Sequence, residues 1–150
     1  MPQKTLDLDS YRETGSLSEE DSLALGSFAI EAKNESYSPY SHFRVGAALL
    51  SSNGTVWLGC NVENASYGGA ICAERTAFVK AVSEGHRDFV AIAVVTDKDE
   101  PTSPCGICRQ FMVEFGKKLV VYQFSASLDK VRVMKLSELL PFSFGPDDLK

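Results

Sequence analysis

The chain is poor in the features that carry a protein to a membrane or a polynucleotide. No apolar run in its 150 residues approaches the roughly 20 needed to span a bilayer. Residues 1–12 hold no apolar stretch of the signal-peptide kind. The net charge is -5, and Lys117-Lys118 is the only adjacent basic pair. The counterion-displacing stripe that polynucleotide binding rests on is therefore missing, and the balance favours a small-molecule substrate. Histidine is scarce as well. His42 and His86 are the only two, and neither sits in ligand spacing, which leaves no histidine-built metal centre. Internal repeats, low-complexity tracts and linkers are absent. With 44% hydrophobic and 23% charged residues, the chain reads as one globular domain, residues 16–150, behind a loose polar segment, residues 1–15. Without a leader or a span, the expected location is the cytoplasm. Thiols stay reduced there, so cysteines are more often metal-binding or catalytic than paired.

What is present is an alternation of strands and helices. Ser16-Leu17-Ser18-Glu19 fits a capping box, and Leu25, Phe28, Ala29 and Ala32 continue at helical spacing. Residues 45–50 and 55–62 flank Asn53-Gly54 and predict a hairpin. A helix is expected from Cys72 to a stop at Gly85. Residues 89–96 are almost wholly apolar, as in a strand buried on both faces. A helix over 105–116 follows, then strands over 119–124 and 131–136 and a helical turn over 137–140. The last two strands are separated by too few residues for a parallel crossover. The expectation is an α/β fold in three α/β/α layers around a mixed five-stranded sheet with an antiparallel last strand.

Three of the four cysteines fall at two helix starts, in Cys72-Ala73-Glu74 and Pro104-Cys105-Gly106-Ile107-Cys108. A helix N-terminus carries partial positive charge and unpaired amide donors, which favour the metal-binding thiolate. Cys105 and Cys108, three apart, share one face of a first turn. A crossover through the strand between them brings Cys72 to the same sheet edge. Three protein ligands leave a fourth position on Zn²⁺ for water, and Glu74, beside the first ligand, is placed to move protons there. Three thiolates over-neutralise the metal. Arg75 follows Glu74 and can draw charge off a thiolate by hydrogen bonding.

These segments resemble the cytidine deaminase family, in its small homotetrameric branch with three cysteine ligands. The resemblance covers residues 36–149. It rests on Tyr37-Ser38-Pro39-Tyr40-Ser41-His42-Phe43, Asn61-Val62-Glu63-Asn64-Ala65-Ser66-Tyr67, Ile71-Cys72-Ala73-Glu74-Arg75-Thr76-Ala77, Ser103-Pro104-Cys105-Gly106-Ile107-Cys108-Arg109-Gln110 and Leu139-Leu140-Pro141-Phe142-Ser143-Phe144-Gly145-Pro146, in that order. It implies one zinc per chain on Cys72, Cys105 and Cys108, with Glu74 as the proton shuttle. It implies that Asn61 and Glu63 bind the ribose 3'-hydroxyl, that the Ala73 backbone meets the base and that Phe43 stacks on it. Ala65 is carried over as a further substrate-binding position. Tyr67 and Phe144 resemble residues that complete a neighbouring subunit's pocket in a homotetramer. The implied reaction is zinc-dependent hydrolysis of cytidine and 2'-deoxycytidine to uridine and 2'-deoxyuridine, with release of ammonia, in pyrimidine salvage. Water activated by zinc attacks the amino-bearing ring carbon.

Other readings stand beside this one. Cys60 could close a structural four-cysteine site, although it lacks the spacing and suits a buried small hydrophobe. The chain could be a relative acting on another aminopyrimidine or on nucleic acid. It could be a zinc-binding interaction module without catalysis. Phe43 and Phe144 taken alone are more often core residues. Arg109 reads as an anchor beside the zinc loop.

Overall fold

The computed structural model describes residues 3–150. Six strands form one mixed sheet: β1 (Lys4–Thr5), β2 (Val45–Ser51), β3 (Thr55–Cys60), β4 (Phe89–Thr96), β5 (Val120–Phe124) and β6 (Val131–Lys135), in the spatial order β1-β3-β2-β4-β5-β6. Five of these match the expectation, including the hairpin of β2 and β3. β6 runs antiparallel to β5, and β5 runs parallel to β4. The expected count of five strands is corrected to six by β1, which pairs with β3 through Lys4↔Val56 and Thr5↔Thr55. Two residues are too few for a period-2 pattern to register.

The helices are α1 (Asp9–Thr14), α2 (Glu19–Lys33), α3 (Ala73–Ser83), α4 (Gly106–Val113) and the single turn α5 (Leu136–Leu139). Residues 3–15, within the segment expected to be loose, hold β1 and α1, and Leu8 is buried in the core beneath α2. Residues 1 and 2 lie outside the described residues. The presence of α1 also moves the start of α2. The side chain of Ser18, not that of Ser16, accepts from the Asp21 amide, at 3.1 Å. Ser16 belongs to the turn that closes α1 at Gly15, where φ is +80°, and its own amide donates to Thr14 Oγ1.

The sheet separates two cores. On one face Leu25 and Ala29 of α2 meet Ala48, Leu50, Val95 and Phe124. On the other, Ala77 and Phe78 of α3 and Met112 of α4 meet Ala47, Leu49, Ile92, Val94 and Val121. Alternate residues of β2 and β4 serve opposite cores, which is why β4 reads as an uninterrupted apolar run. Each fully buried Leu, Ile or Phe contributes about 1.5–3 kcal/mol relative to exposure, so both layers fix the sheet firmly.

Two glycines set how closely the helices approach. A Cβ on Gly59 of β3 would lie 2.4 Å from the Ala73 carbonyl oxygen and 2.5 Å from the Ala77 nitrogen. A Cβ on Gly46 of β2 would lie 2.0 Å from the Ala29 carbonyl oxygen. Gly59 thus lets the first turn of α3 rest directly on the end of β3. The pairs Gly46↔Cys60 and Val45↔Thr96 align the C-terminal ends of β3 and β4 at one edge. The starts of α3 and α4 meet at that edge.

Candidate active site

Cys72 is the N-cap of α3 and Cys105 the N-cap of α4, both with extended backbone. Neither thiol caps its own helix. Both point instead toward Cys108, in the first turn of α4. The three sulfurs lie within 4.8 Å of one another, and Cys72 Sγ is 3.8 Å from Cys105 Sγ. Ligands about 2.3 Å from a tetrahedral zinc stand roughly 3.8 Å apart, so the spacing suits a shared metal ion and is far too long for a disulfide. Cys60 is outside the cluster, with its thiol donating to the Glu35 carbonyl at 3.4 Å. No fourth cysteine closes the set.

The electrostatics agree with a cation site. The Cys72 thiol is pulled down to about 5, first because Cys108 donates a hydrogen bond to its sulfur, and further by Arg75 and Cys105. Cys108, the donor of that pair, is pushed up, with burial adding to the effect. Three crowded thiols cannot all ionise unaided, whereas a dication held among them makes three thiolates favourable. Arg75 brings one positive charge to the same place, its guanidinium donating to Cys72 Sγ at 3.6 Å. Its Nε is buried and makes no hydrogen bond.

Glu74 is 4% exposed and lies next to these sulfurs without joining them. Burial pushes its carboxyl up to about 7, and the negative charge of Cys72 adds to the rise. A group poised near neutrality can both take and return a proton.

A cavity of about 350 Å³ opens in front of the cluster. Cys72, Glu74 and Cys105 form one end, and Phe43, Asn61 and Glu63 are in its wall. Ala73 is fully buried between Cys72 and Glu74 at the first position of α3 and is not part of the cavity wall. Three of the sequence-derived positions are elsewhere. Tyr67 is 77% exposed and tilts against Tyr40 with ring centroids 5.8 Å apart. Both border a separate cavity of about 310 Å³. Ala65 is exposed in the loop leading to Tyr67. Phe144 is half exposed at the other end of the chain, its carbonyl accepting from Gln110 Nε2 at 2.8 Å. None of the three lines the cavity of its own chain.

The wall also contains residues that sequence reasoning did not single out, among them Ser41, Val45, Thr96 and Thr102. Ser41 lies inside a recognised block, and Thr96 ends the strand before the metal loop. Those positions were the available signals. The site is tightly braced. Glu63 accepts from the amides of Tyr40 at 3.0 Å and Ser41 at 3.1 Å and from the Ser41 hydroxyl, and these bonds, led by the hydroxyl, hold its pKa below the usual carboxylate value. Asn61 donates from Nδ2 to the Phe43 carbonyl at 2.8 Å and accepts at Oδ1 from the Val45 amide at 3.0 Å and from the Ser36 hydroxyl. Arg109 ties the metal loop down, donating to the Pro104 carbonyl at 2.8 Å, the Ser103 hydroxyl at 2.7 Å and the Leu139 carbonyl at 2.6 Å.

A layered α/β frame that converges three thiols and a buried carboxylate on an open cavity defines a zinc-dependent enzyme of the hydrolytic class. Residues 19–124 match the model of the cytidine and deoxycytidylate deaminase zinc-binding region. The chain belongs to the cytidine and deoxycytidylate deaminase family. It is 50% identical over 124 residues to a cytidine deaminase of Halalkalibacterium halodurans, covering 81% of this chain and 92% of that one. It is also 50% identical over 123 residues to a probable cytidine deaminase of Dictyostelium discoideum, covering 81% and 82%. Among solved structures, a cytidine deaminase from Burkholderia pseudomallei superposes with a TM-score of 0.80 at 46% identity, covering 85% of this chain and all of that one.

Proposed function

We propose that this protein is a cytidine deaminase that hydrolyses cytidine and 2'-deoxycytidine to the corresponding uridines and ammonia. The observation that carries the reading is the joining of the three-thiol cluster and Glu74 to a cavity that Asn61, Glu63 and Phe43 also line. Cys72, Cys105 and Cys108 would hold the zinc. When bound, zinc supplies Lewis acidity, lowering the pKa of water so that it becomes a nucleophile at neutral pH.

The residues divide the remaining work. Glu74 accepts a proton from the attacking water and delivers it to the ring nitrogen beside the amino-bearing carbon. That protonation lets the ring give up its aromaticity without building full negative charge. A second proton passed through Glu74 leaves with the amino group as ammonia. By the resemblance, the backbone of Ala73, between Cys72 and Glu74 at a helix start whose first N–H groups are unpaired, is assigned to the base. Phe43 stacks on the ring.

Counting hydrogen bonds supports assigning Asn61 and Glu63 to the sugar end. Asn61 Nδ2 has two N–H groups, and one is spent on the Phe43 carbonyl. The Glu63 carboxylate has about four acceptor sites, and three are taken by Tyr40 and Ser41. One donor and one acceptor remain, and a ribose 3'-hydroxyl needs both.

Arg75 draws charge from Cys72 and so keeps the metal electrophilic. Arg75→Gln is expected to retain zinc and turn over more slowly. Equal zinc content with equal turnover would remove that role. Tyr67 and Phe144, exposed outside their own cavity, suit completion of a neighbour's pocket in a homotetramer, with Ala65 on the same loop as Tyr67. Sedimentation velocity should find a particle of four chains, and a stable active monomer would refute the assembly. We place the enzyme in the cytoplasm, acting on free nucleosides in pyrimidine salvage, with residues 16–150 as its single catalytic domain and β1 and α1 packed onto it. Nucleic acid is not its partner.

The decisive assay follows loss of cytidine absorbance and release of ammonia, with and without a chelator, with zinc counted per chain. Turnover of cytidine and deoxycytidine that stops on chelation is expected. No turnover of either by the zinc-loaded protein would defeat the assignment.

A further inference from the structure

Arg44 stands between two residues of the cavity wall, Phe43 and Val45. Asn61 grips the backbone of this tripeptide, binding the Phe43 carbonyl and the Val45 amide with its own side-chain amide. The Arg44 side chain grips something else. Its Nε donates to Asp97 Oδ2 at 2.9 Å and its NH2 group to Asp97 Oδ1 at 2.8 Å, a two-pronged fork. Asp97 follows Thr96, another wall residue, which pairs directly with Val45 across the β2–β4 ladder.

Lys33, in the last turn of α2, completes the group. Its side chain is 7% exposed, and Nζ lies 3.1 Å from Asp97 Oδ1 and donates to the Thr96 carbonyl at 3.2 Å. It comes so close because Gly46 has no side chain to hold α2 away: a Cβ there would be 2.5 Å from the Lys33 nitrogen. The loop after β4 carries Lys98, whose amide donates to Thr96 Oγ1 at 3.1 Å and whose Nζ stands 5.8 Å from the centre of the Phe43 ring.

An ion pair as exposed as Arg44–Asp97 adds little to stability. A guanidinium–carboxylate fork nevertheless fixes direction in a way that a lysine cannot. We infer that Arg44, anchored on Asp97, which Lys33 holds from the other side of the group, is a positioning residue for the deamination: it locks the backbone of Phe43 to the end of β4, so that the ring meets the base in one pose. The inference rests on the proposed stacking of Phe43 on the base. A packed wall that shifts by a fraction of an ångström loses alignment with its substrate at a cost far above the energy of the pair itself.

The test is steady-state kinetics on cytidine with the zinc-loaded enzyme, comparing Arg44→Gln, Arg44→Lys, Phe43→Ala and the double variant Phe43→Ala/Arg44→Gln. Arg44→Gln should raise KM about tenfold and leave kcat within about twofold, with one zinc per chain and a nearly unchanged melting temperature. Arg44→Lys, which keeps the charge and loses the fork, should recover part of the KM. In the Phe43→Ala background, Arg44→Gln should add nothing further. If Phe43→Ala raises KM and Arg44→Gln does not, the positioning role is wrong and stacking stands. An undiminished Arg44→Gln effect in the double variant, or loss of zinc or fold in the single one, also overturns it. If Phe43→Ala leaves KM unchanged, the stacking itself fails and the inference falls with it.

Discussion

Glu74→Ala should keep its zinc and lose about 10²- to 10⁴-fold in kcat on cytidine, the usual consequence of removing a general acid–base. Three features set this expectation. The sulfur cluster is complete without the carboxylate, so the metal stays. Glu74 faces the same cavity as Cys72 and Cys105, and the other carboxylate in its wall, Glu63, is tied up by Tyr40 and Ser41, so its proton transfers have no substitute. A carboxyl held this deep costs desolvation energy, and its loss offsets part of the small void left by alanine. Folding stability should therefore change far less than rate. Glu74→Gln separates shape from chemistry: it fills the space, carries no exchangeable acid and should be as slow. Zinc analysis beside kcat decides the matter. Full zinc with full activity would remove Glu74 from the proton transfers, and lost zinc would make Glu74 a ligand.

The second large effect comes from the thiols. Cys105→Ala and Cys108→Ala should both abolish zinc binding and reduce deamination to background, as chelation does. Their effects on stability should differ. Cys105 is an exposed N-cap, whereas Cys108 is completely buried beside Met112. Loss of the metal removes a binding energy that can be of order 10–16 kcal/mol at structural zinc sites, and this dominates in both. Compared without metal, Cys108→Ala should be the less stable by about 1 kcal/mol, the scale for deleting one buried heavy atom. Urea unfolding in the presence of a chelator measures that gap. Retention of zinc by Cys105→Ala would break the three-ligand assignment.

How much of this could be read beforehand depended on distance along the chain. Cys72, Glu74, Arg75, Cys105 and Cys108 lie in two short segments at helix starts, so ligand spacing and helix polarity were enough. The apolar run of β4 and the short link to β6 gave the layers and the antiparallel ending. β1 escaped because two residues carry no periodicity, and it packs by pairing with an edge 50 residues away. The cap of α2 was misplaced because α1, with no strong pattern, occupies the residues before it. The ribose and base contacts came from resemblance alone. In the structure the residues proposed to make them are held by brackets such as Glu63 to Ser41 and Asn61 to Phe43, which local pattern does not reveal. Arg44 and Asp97, 53 residues apart, belong to no motif, and only the register of β2 on β4 brings them together.

The bare contact at Gly59 makes the active site a gauge of length. Asn61 lies two residues beyond it, just past the end of β3, and Cys72 heads the helix that rests on it. The proposed sugar anchor and the metal anchor are therefore both measured from one backbone-to-backbone contact. No side chain there can rotate to lengthen or shorten the span. With the proposed roles of Asn61 and Cys72, a molecule that fits must place its hydroxyl and its amino-bearing carbon at that fixed separation, so the intact nucleoside would be selected over the free base by the spacing of the scaffold as much as by any group that touches it.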